Sequence, residues 1–195
     1  MRSAPRARWP SGPRRQNERV PSFRRADVTV RRARTGDVPG IRRLVEPLAD
    51  KGVLVRKDAV AYYEGLQQFA VAETPTGEVA GCGALHVLWD DLAEVRTLAV
   101  GPQHLGMGVG SALLRALLDE AVQLGVKRVF CLTFEVEFFA RHGFQVIEGA
   151  PVDPEVYRQL LRSYDVGVAE FLDLDRVKPN TLGNTRMLLT FENSR

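Results

Sequence analysis

The stretch LAVGPQHLGMGVGSALL at Leu98–Leu114 constrains the fold of this chain more than any other segment. An apolar run ends at Val100, a polar turn with alternating glycines follows, and a helical pattern of leucines then begins. Glycine allows the backbone to come close to a ligand, and the free amides at the start of a helix point toward negative charge. The stretch therefore predicts a strand, loop and helix that bind an anion, with the loop glycines at Gly106, Gly108 and Gly110.

Charge is distributed unevenly along the chain. Residues 1–26 contain eight arginines and one acid, about +7 in all, so the remainder of a chain with net charge +3 sums to about −4. Four prolines and few apolar side chains make this segment typical of disorder. We expect residues 1–26 to be a disordered basic arm and residues 27–193 to form the domain. The arm is interpreted as a solvated tail, with RNA or membrane binding as the alternative, and the acidic domain is not expected to bind nucleic acid.

Several features of composition exclude whole classes of protein. The apolar runs fall short of the roughly 18 residues that span a bilayer, so no membrane partner is expected. Cys82 and Cys131 each lie in an apolar stretch, which favours reduced core thiols and a cytoplasmic location. His86, His104 and His142 stand at no metal-ligand spacing, so no metal is expected.

Hydrophobic periodicity and turn residues predict a strand-rich order of elements after residue 27. Strands and helices do not alternate strictly, so we expect a mixed α/β domain rather than a doubly wound dinucleotide fold. The predicted strands are 28–33, 69–73, 79–88, 93–100, 126–133, 144–147 and 187–191, and the predicted helices are 37–48, 58–67, 108–124, 135–142 and 155–163.

The glycine loop departs from two common phosphate-binding motifs. A P-loop needs Gly-Lys followed by Ser or Thr, which this loop lacks. Gly106-x-Gly108-x-x-Ser111 nearly matches a dinucleotide fingerprint, but the nearest acid, Glu120, falls inside the predicted helix instead of at the end of a second strand. A glycine-rich turn with no ligand stays open as an alternative.

The segment Gln103-x-x-Gly106-x-Gly108, followed later by Phe138-Phe139-x-x-x-Gly143-Phe144, resembles the pyrophosphate-binding loop of GNAT-superfamily N-acetyltransferases. This resemblance implies an α/β (α+β) GNAT acetyltransferase fold, in which splayed parallel strands of a mixed central sheet, here 93–100 and 126–133, hold acetyl-CoA. It implies no metal. The residues that it assigns to acetyl-CoA are Leu98, Ala99, Val100, Gln103, His104, Leu105, Gly106, Met107, Gly108, Val109, Gly110 and Ser111.

Within this superfamily the chain resembles a short, single-domain N-acetylglutamate synthase. The resemblance implies transfer of the acetyl group of acetyl-CoA to the α-amino group of L-glutamate, the first step of arginine biosynthesis. The matching segments are Arg31–Arg34, Gly52–Lys57, Gly81–Leu85, Glu94–Val100, Leu132-Thr133, Phe139–Phe144, Lys178-Pro179-Asn180 and Arg186–Leu189.

The acceptor ammonium must lose a proton before it attacks the thioester, and a nearby carboxylate can accept that proton. Glu94 lies on the strand that lines the cofactor, and the resemblance assigns the base there; the alternative is a structural ion pair with Arg96. The resemblance also assigns stabilisation of the thioester oxygen to a backbone amide within Leu98–Val100.

A proton for the departing thiolate comes from a tyrosine in many GNAT enzymes. The corresponding helix here offers Phe138 and Phe139. We rank Thr133 first as the catalytic acid, with Tyr164 or a water molecule as alternatives; a thiol of pKa near about 8.5 also leaves without help.

Glutamate carries two carboxylates, which favours an acceptor site with arginines. Arg56, Arg96 and Arg186 are the candidates, and a structural ion pair is the alternative for each. Asn184-Thr185-Arg186 carries less charge than the corresponding cluster in related synthases, which leaves room for L-glutamine as the acceptor.

Two other functions remain open from the sequence. One is a GNAT acetyltransferase for another small amine or a protein N-terminus, and the other is an acyl-CoA-binding regulatory module. Because related acetyltransferases often pair, the resemblance also allows a homodimer.

Overall fold

The computed structural model describes residues 27–177 and 183–191. The predicted basic arm, the segment Lys178-Pro179-Asn180 and the last two residues of the predicted domain lie outside the described residues.

The described chain forms a mixed sheet with helices on both faces. The sheet order is β1-β2-β3-β4-β5-β7-β6; β4 and β5 run parallel and the other neighbours are antiparallel. The strands are β1 Thr29–Arg32, β2 Phe69–Glu73, β3 Val79–Trp89, β4 Leu92–Val100, β5 Arg128–Thr133, β6 Gln145–Val146 and β7 Thr185–Thr190. The α-helices are α1 Val38–Asp50, α2 Ala59–Glu64, α3 Val109–Gln123, α4 Val136–Ala140, α5 Pro154–Leu160 and α6 Val166–Phe171.

The predicted elements are present, and the mixed sheet of the predicted GNAT fold is confirmed. One helix, α6, was missed by the sequence analysis. Its start does carry a signal, because Asp165 precedes it and its carboxylate accepts a hydrogen bond from the Val168 amide at 3.1 Å. Six residues are too few for the helical period to stand out.

Three apolar clusters fix the helices on the sheet. Helix α3 buries Leu113, Leu114 and Leu117 against one face. Helices α1 and α2 cover the opposite face at β2 and β3, through side chains such as Ile41. Helices α5 and α6 extend that second layer over β4 and β5, where Phe171 packs edge-on against Phe130 at 5.1 Å between ring centroids.

A β-bulge interrupts β4. Cys82 pairs with Ala99 and Ala84 pairs with Arg96, so Thr97 and Leu98 together lie opposite Gly83 alone. Thr97 has φ +59°, an uncommon conformation for a β-branched residue. The extra residue reverses the alternation of side chains along the strand. Glu94 and Arg96 before the bulge therefore face the opposite side of the sheet from Leu98 and Val100 after it.

The two parallel strands separate beyond Glu94. Pairing of β4 with β5 ends at Glu94 and Phe130, after which β4 continues beside β3 and β5 continues beside β7. The sheet thus opens between the second half of β4 and the end of β5. This is the splay that the resemblance implied.

Close packing of α3 on β3 depends on a residue without a side chain. A Cβ atom at Gly81 would lie 2.9 Å from Leu113 Cδ1 and 3.0 Å from the carbonyl oxygen of Ala99. The Ala99 carbonyl belongs to β4, so it cannot move away from this Cβ atom without disturbing that strand. Gly81 therefore sets the distance between the helix and the sheet.

We expect Gly81→Ala to lower the free energy of unfolding by about 1 to 3 kcal/mol, because the added methyl group overpacks the contact with α3. Gly36→Ala is the matched control: its Cβ would meet nothing within 4 Å, and its effect should stay within about 0.5 kcal/mol. Urea denaturation of both variants measures the difference. Equal stabilities would contradict the proposed packing.

Candidate active site

A cavity of about 790 Å³ opens on the side of the sheet that carries α1 and α6. Its walls come from β4 before the bulge, from the segment between α1 and α2, and from the start of α6. Charged side chains of both signs line it. They are Arg56, Lys57, Glu64, Glu94, Arg96, Asp165 and Glu170.

Glu94 is the most deeply buried of these charged groups, with 3% of its surface exposed. Its Oε2 atom accepts no hydrogen bond from the described part of the chain, and the nearest cation, Arg96 Nη1, is 3.7 Å away. Burial raises the pKa of Glu94 to about 7; Arg96 opposes this rise, and Glu170 and Asp165 add to it. A carboxyl group with such a pKa exchanges protons near neutral pH.

Arg96 points into the same cavity as Glu94, as their positions two residues apart on β4 predict. Its guanidinium donates to Asp165 Oδ1 at 2.8 Å and to Gln68 Oε1 at 3.0 Å. The main ion pair of Arg96 is therefore with Asp165, and its contact with Glu94, the alternative role considered for Glu94, is longer at 3.7 Å.

Two further cations lie along the cavity on the segment before α2. Arg56 is mostly exposed and forms an ion pair with Asp50. Lys57 is more deeply placed, and burial together with Arg96 lowers its pKa. No hydrogen bond joins the Lys57 ammonium to another group within residues 27–177 and 183–191, so this cation faces the cavity without a direct partner.

Arg186 and Thr133 do not line the cavity. The Arg186 guanidinium donates to the carbonyl oxygens of Gly149, Glu170 and Phe171, and it lies 5.0 Å from the centroid of the Phe130 ring. These contacts tie β7 to the end of α6.

The two hydroxyl candidates for the catalytic acid have different surroundings. The buried Thr133 hydroxyl accepts a hydrogen bond from the Glu135 amide at 2.9 Å. Tyr164, the alternative from the sequence, lies fully exposed at the mouth of the cavity. The structure thus brings Glu94, Arg96 and Arg56 together and leaves Thr133 and Arg186 outside.

The glycine loop lies beyond the bulge, at the end of β4. Gly106 and Gly108 have φ of +73° and +83°, and Gly108 precedes the first turn of α3. Ala112 donates to the Gly108 carbonyl at 3.0 Å, so the amides of residues 109–111 form the open start of the helix. Gly110 has no such backbone requirement, and a Cβ there would meet Phe138 at an ordinary 3.5 Å.

The other predicted loop residues differ in their surroundings. The Gln103 side chain donates to Glu78 at 3.1 Å, and the buried His104 Nε2 atom has no hydrogen-bond partner in the described chain. Leu105 is exposed and Val109 is buried in the α3 core. Met107 and Ser111 flank the helix start, while Leu98, Ala99 and Val100 follow the bulge.

Comparison with known proteins decides the family. Residues 42–144 match the acetyltransferase (GNAT) family model, which is more than half of the chain. The chain belongs to the GNAT acetyltransferase family. This confirms the predicted fold and an acetyltransferase that takes acetyl-CoA as its donor.

Individual relatives narrow the comparison. An amino-acid acetyltransferase of Mycobacterium tuberculosis is 60% identical over 162 residues, 82% of this chain and 92% of that protein. A crystal structure of a Mycobacterium tuberculosis protein in complex with CoA and a second ligand has a TM-score of 0.82 at 58% identity and covers 84% of this chain and 99% of that one. These likenesses support acetyl-CoA-dependent N-acetylation of an amino acid.

A more distant neighbour has the same fold within a longer chain. It is N-acetylglutamate synthase from Neisseria gonorrhoeae, solved with coenzyme A and N-acetyl-glutamate, with a TM-score of 0.68 at 26% identity. The match covers 87% of this chain and 36% of that synthase, so this acetyltransferase spans about a third of its length.

Sequence reasoning missed several cavity residues of this acetyltransferase. Lys57 was passed over beside Arg56, and Gln68 ends a short turn that carries no motif. Asp165, Gly167 and Glu170 were missed because α6 itself was missed. The cap signal at Asp165 was the one sequence cue for this group.

Residues 27–177 and 183–191 contain neither a candidate metal site nor a candidate membrane span. No cluster of three or more His, Cys, Asp or Glu is arranged to hold a metal ion in that part of the chain. None of the helices described there has the length and apolar composition of a membrane span.

The raised pKa of Glu94 has a consequence for stability. The native state binds its proton more tightly than the unfolded chain, where the pKa is near 4.5, so stability contributed by this group falls as pH rises from about 4.5 through 7. We expect the stability of Glu94→Gln relative to wild type to increase by about 2 to 3 kcal/mol between pH 5 and pH 8. Urea denaturation at both pH values measures this. Exposed Glu148→Gln is the control and should show no such trend; a flat Glu94→Gln difference would contradict the buried carboxyl.

Proposed function

We propose that this acetyltransferase transfers the acetyl group of acetyl-CoA to the α-amino group of L-glutamate or L-glutamine, giving the N-acetyl amino acid. The observation that carries the proposal is Glu94, a buried carboxyl in a cavity that also holds Arg56, Lys57 and Arg96. Glu94 can take the proton of an ammonium, and the positive charges around it attract a carboxylate. An α-amino acid presents both features on one carbon atom.

Glu94 acts as the general base in this proposal. The deprotonated carboxylate takes a proton from the acceptor ammonium, directly or through one water molecule. The amine nitrogen then attacks the thioester carbonyl carbon, the new C–N bond forms, and the C–S bond breaks to release the CoA thiolate. A base with a pKa of about 7 is half ionised at neutral pH. Half of the molecules can therefore accept a proton, and the proton affinity of the carboxylate is still high enough to take one from the ammonium.

The donor lies along the open half of β4. The amides at the start of α3, made accessible by the turn at Gly106 and Gly108, bind the pyrophosphate of acetyl-CoA. The bulge at Thr97 and Leu98 leaves amides without partner residues on β3, and one of these donates to the thioester oxygen as charge develops. The thiolate takes its proton from water or from Tyr164 at the cavity mouth, since the Thr133 hydroxyl lies outside the cavity.

Arg56 and Lys57 hold the carboxylates of the acceptor. Lys57 supports this most directly, because its ammonium faces the cavity with no hydrogen bond to the described residues. Arg96 is held by Asp165 and Gln68, and Arg186 donates to three carbonyl oxygens, so neither guanidinium is fully available. The ion pair of Arg56 with Asp50 is exposed to solvent and therefore weak, so a substrate carboxylate can replace Asp50.

The balance of charge in the cavity favours L-glutamine as a second acceptor. Four acidic side chains accompany the three cations that line it. A substrate with one carboxylate and one amide meets less repulsion from Glu64, Asp165 and Glu170 than a dicarboxylate does. With glutamate as acceptor, the reaction is the first step of arginine biosynthesis.

Loop backbone conformation should control cofactor affinity. We expect Gly108→Ala to weaken CoA binding about tenfold, because the alanine Cβ opposes the positive φ at this position by roughly 1 to 2 kcal/mol. Calorimetric titration with CoA measures the change. Gly110→Ala is the matched control and should lose far less, since its backbone is helical and its Cβ makes only ordinary contact. Equal losses would contradict the separate roles of the two glycines.

The acceptor is identified by a thiol-release assay with acetyl-CoA. We expect turnover of L-glutamate and L-glutamine, and little or none of peptides with free N-termini or of aminoglycosides. Glu94→Gln should lower kcat about 100-fold or more with CoA binding intact, and it should lose the activity rise near pH 7.

The outcomes separate the competing functions. Turnover of peptides or other amines without either amino acid would contradict the proposed acceptor. Binding of acetyl-CoA without turnover of any amine would favour a regulatory acyl-CoA-binding module. Glu148→Gln controls for loss of one negative charge, since that residue is exposed and does not line the cavity.

A further inference from the structure

The guanidinium of Arg96 lies between two carboxylates that compete for it. Nη1 is 2.8 Å from Asp165 Oδ1 and 3.7 Å from Glu94 Oε2, and Nη2 donates to Gln68 Oε1 at 3.0 Å. Both outer nitrogens thus have partners other than Glu94. Glu94 Oε2, although buried, accepts no hydrogen bond from the described residues.

Asp165 is held in place independently of Arg96. Its Oδ1 atom accepts from the Val168 amide at 3.1 Å, and its own amide donates to the Ser163 hydroxyl at 3.1 Å. His86 Nε2 lies 3.7 Å from the same carboxylate oxygen. These contacts anchor the carboxylate at the start of α6, so that it can orient Arg96 rather than follow it.

Gly167 allows this arrangement to be compact. A Cβ atom at this position would lie 2.5 Å from Glu94 Oε2, 2.7 Å from Arg96 Nη1 and 3.0 Å from Asp165 Oδ1. The backbone of α6 therefore packs directly on the three charged groups. Asp165, Arg96 and Glu94 form one unit whose spacing is set by this helix.

We propose that Asp165 and Gln68 are positioning residues that hold the Arg96 guanidinium away from Glu94, so that Glu94 Oε2 remains available to accept the proton of the acceptor amine. The inference rests on the proposed role of Glu94 as the base. Without Asp165, the closest remaining carboxylate for Arg96 is Glu94, and a full ion pair would make Glu94 a weaker base.

The charges around Glu94 determine the direction of the effect. Arg96 and Lys57 lower the pKa of Glu94, whereas Asp165 and Glu170 raise it. Loss of the Asp165 charge removes one raising influence, and movement of Arg96 toward Glu94 strengthens a lowering one. Both changes shift the pKa of Glu94 downward. The titratable groups that interact electrostatically with Glu94 are Arg96 on β4, Lys57 before α2, Asp165 before α6, Glu170 on α6, Cys131 on β5 and Arg186 on β7; His86 on β3 lies 3.7 Å from Asp165.

The test is the pH dependence of Asp165→Asn. Asparagine is a good helix N-cap, so α6 should remain capped while the charge is lost. We expect the acidic limb of kcat/KM to move down by about one pH unit or more, with a lower kcat at pH 8 because the base is weaker. An isotope-edited infrared titration of the unliganded protein should show the same shift in the Glu94 carboxyl band, which Glu94→Gln identifies by its loss.

Control variants separate positioning from folding and from the proposed function. Asp119→Asn removes an equal charge on an exposed turn of α3 and should leave both titrations unchanged. Gln68→Ala keeps Asp165 but removes the partner of Arg96 Nη2. It should shift the acidic limb of kcat/KM in the same direction by a smaller amount. This variant also tests the proposal if Asp165→Asn does not fold. The double variant of Glu94→Gln and Asp165→Asn should show no further change in pH profile over Glu94→Gln alone.

The remaining outcomes distinguish failure of the Glu94 base, which would remove both proposals, from failure of the positioning role alone. If Glu94→Gln keeps the wild-type acidic limb, Glu94 is not the base, whatever amine is the acceptor. If Glu94→Gln abolishes the limb but Asp165→Asn leaves both titrations unmoved, the positioning role alone is overturned. A rise in the KM of the amino acid with no shift in either titration would assign Asp165 and Arg96 to acceptor binding instead.

Discussion

The β-bulge at Thr97 is the feature on which the rest of this acetyltransferase depends. Before it, Glu94 and Arg96 point into the cavity beneath α6; after it, Leu98 and Val100 pack in the cluster under α3. One extra residue thus puts these two pairs of side chains on opposite faces of the sheet, although all four would share a face in a regular strand. The separation of β4 from β5 begins beyond Glu94, just before the bulge, so the sheet opens beside this half of the strand.

The pKa of Glu94 is set by charges of both signs in the cavity rather than by an excess of one sign. Burial raises the pKa of Glu94, and the nearby guanidinium of Arg96 lowers it. Here Arg96 lies near Glu94 but donates to Asp165. Glu170 raises the pKa of Glu94, and Lys57 lowers it. The low dielectric of the site makes each of these distances matter, because charges a few ångströms apart are poorly screened there.

Sequence reasoning succeeded where chemistry is local. The strand, turn and helix around Gly106 and Gly108 were predictable, since positive φ and an open helix start follow from residues adjacent in the chain. It treated Gly110 as equivalent, although that residue is simply helical. It placed Arg186 in the acceptor site by position along the chain, whereas its donors are taken up by carbonyl oxygens of distant segments. It missed α6, whose six residues are stabilised by packing of Phe171 on Phe130 rather than by their own pattern.

By itself, the sequence determined the order of the strands and of the helices other than α6, the glycine loop, and the identity of Glu94 as a carboxylate on the strand that leads into that loop. These depend on neighbours within a few positions, where periodicity and backbone conformation act. Only the tertiary structure decided the proton affinity of Glu94, the choice of Arg96 between Asp165 and Glu94, and the exclusion of Arg186 from the cavity. Those properties arise from burial and from distances between residues some 70 positions apart in the chain, such as Arg96 and Asp165, which no local pattern encodes.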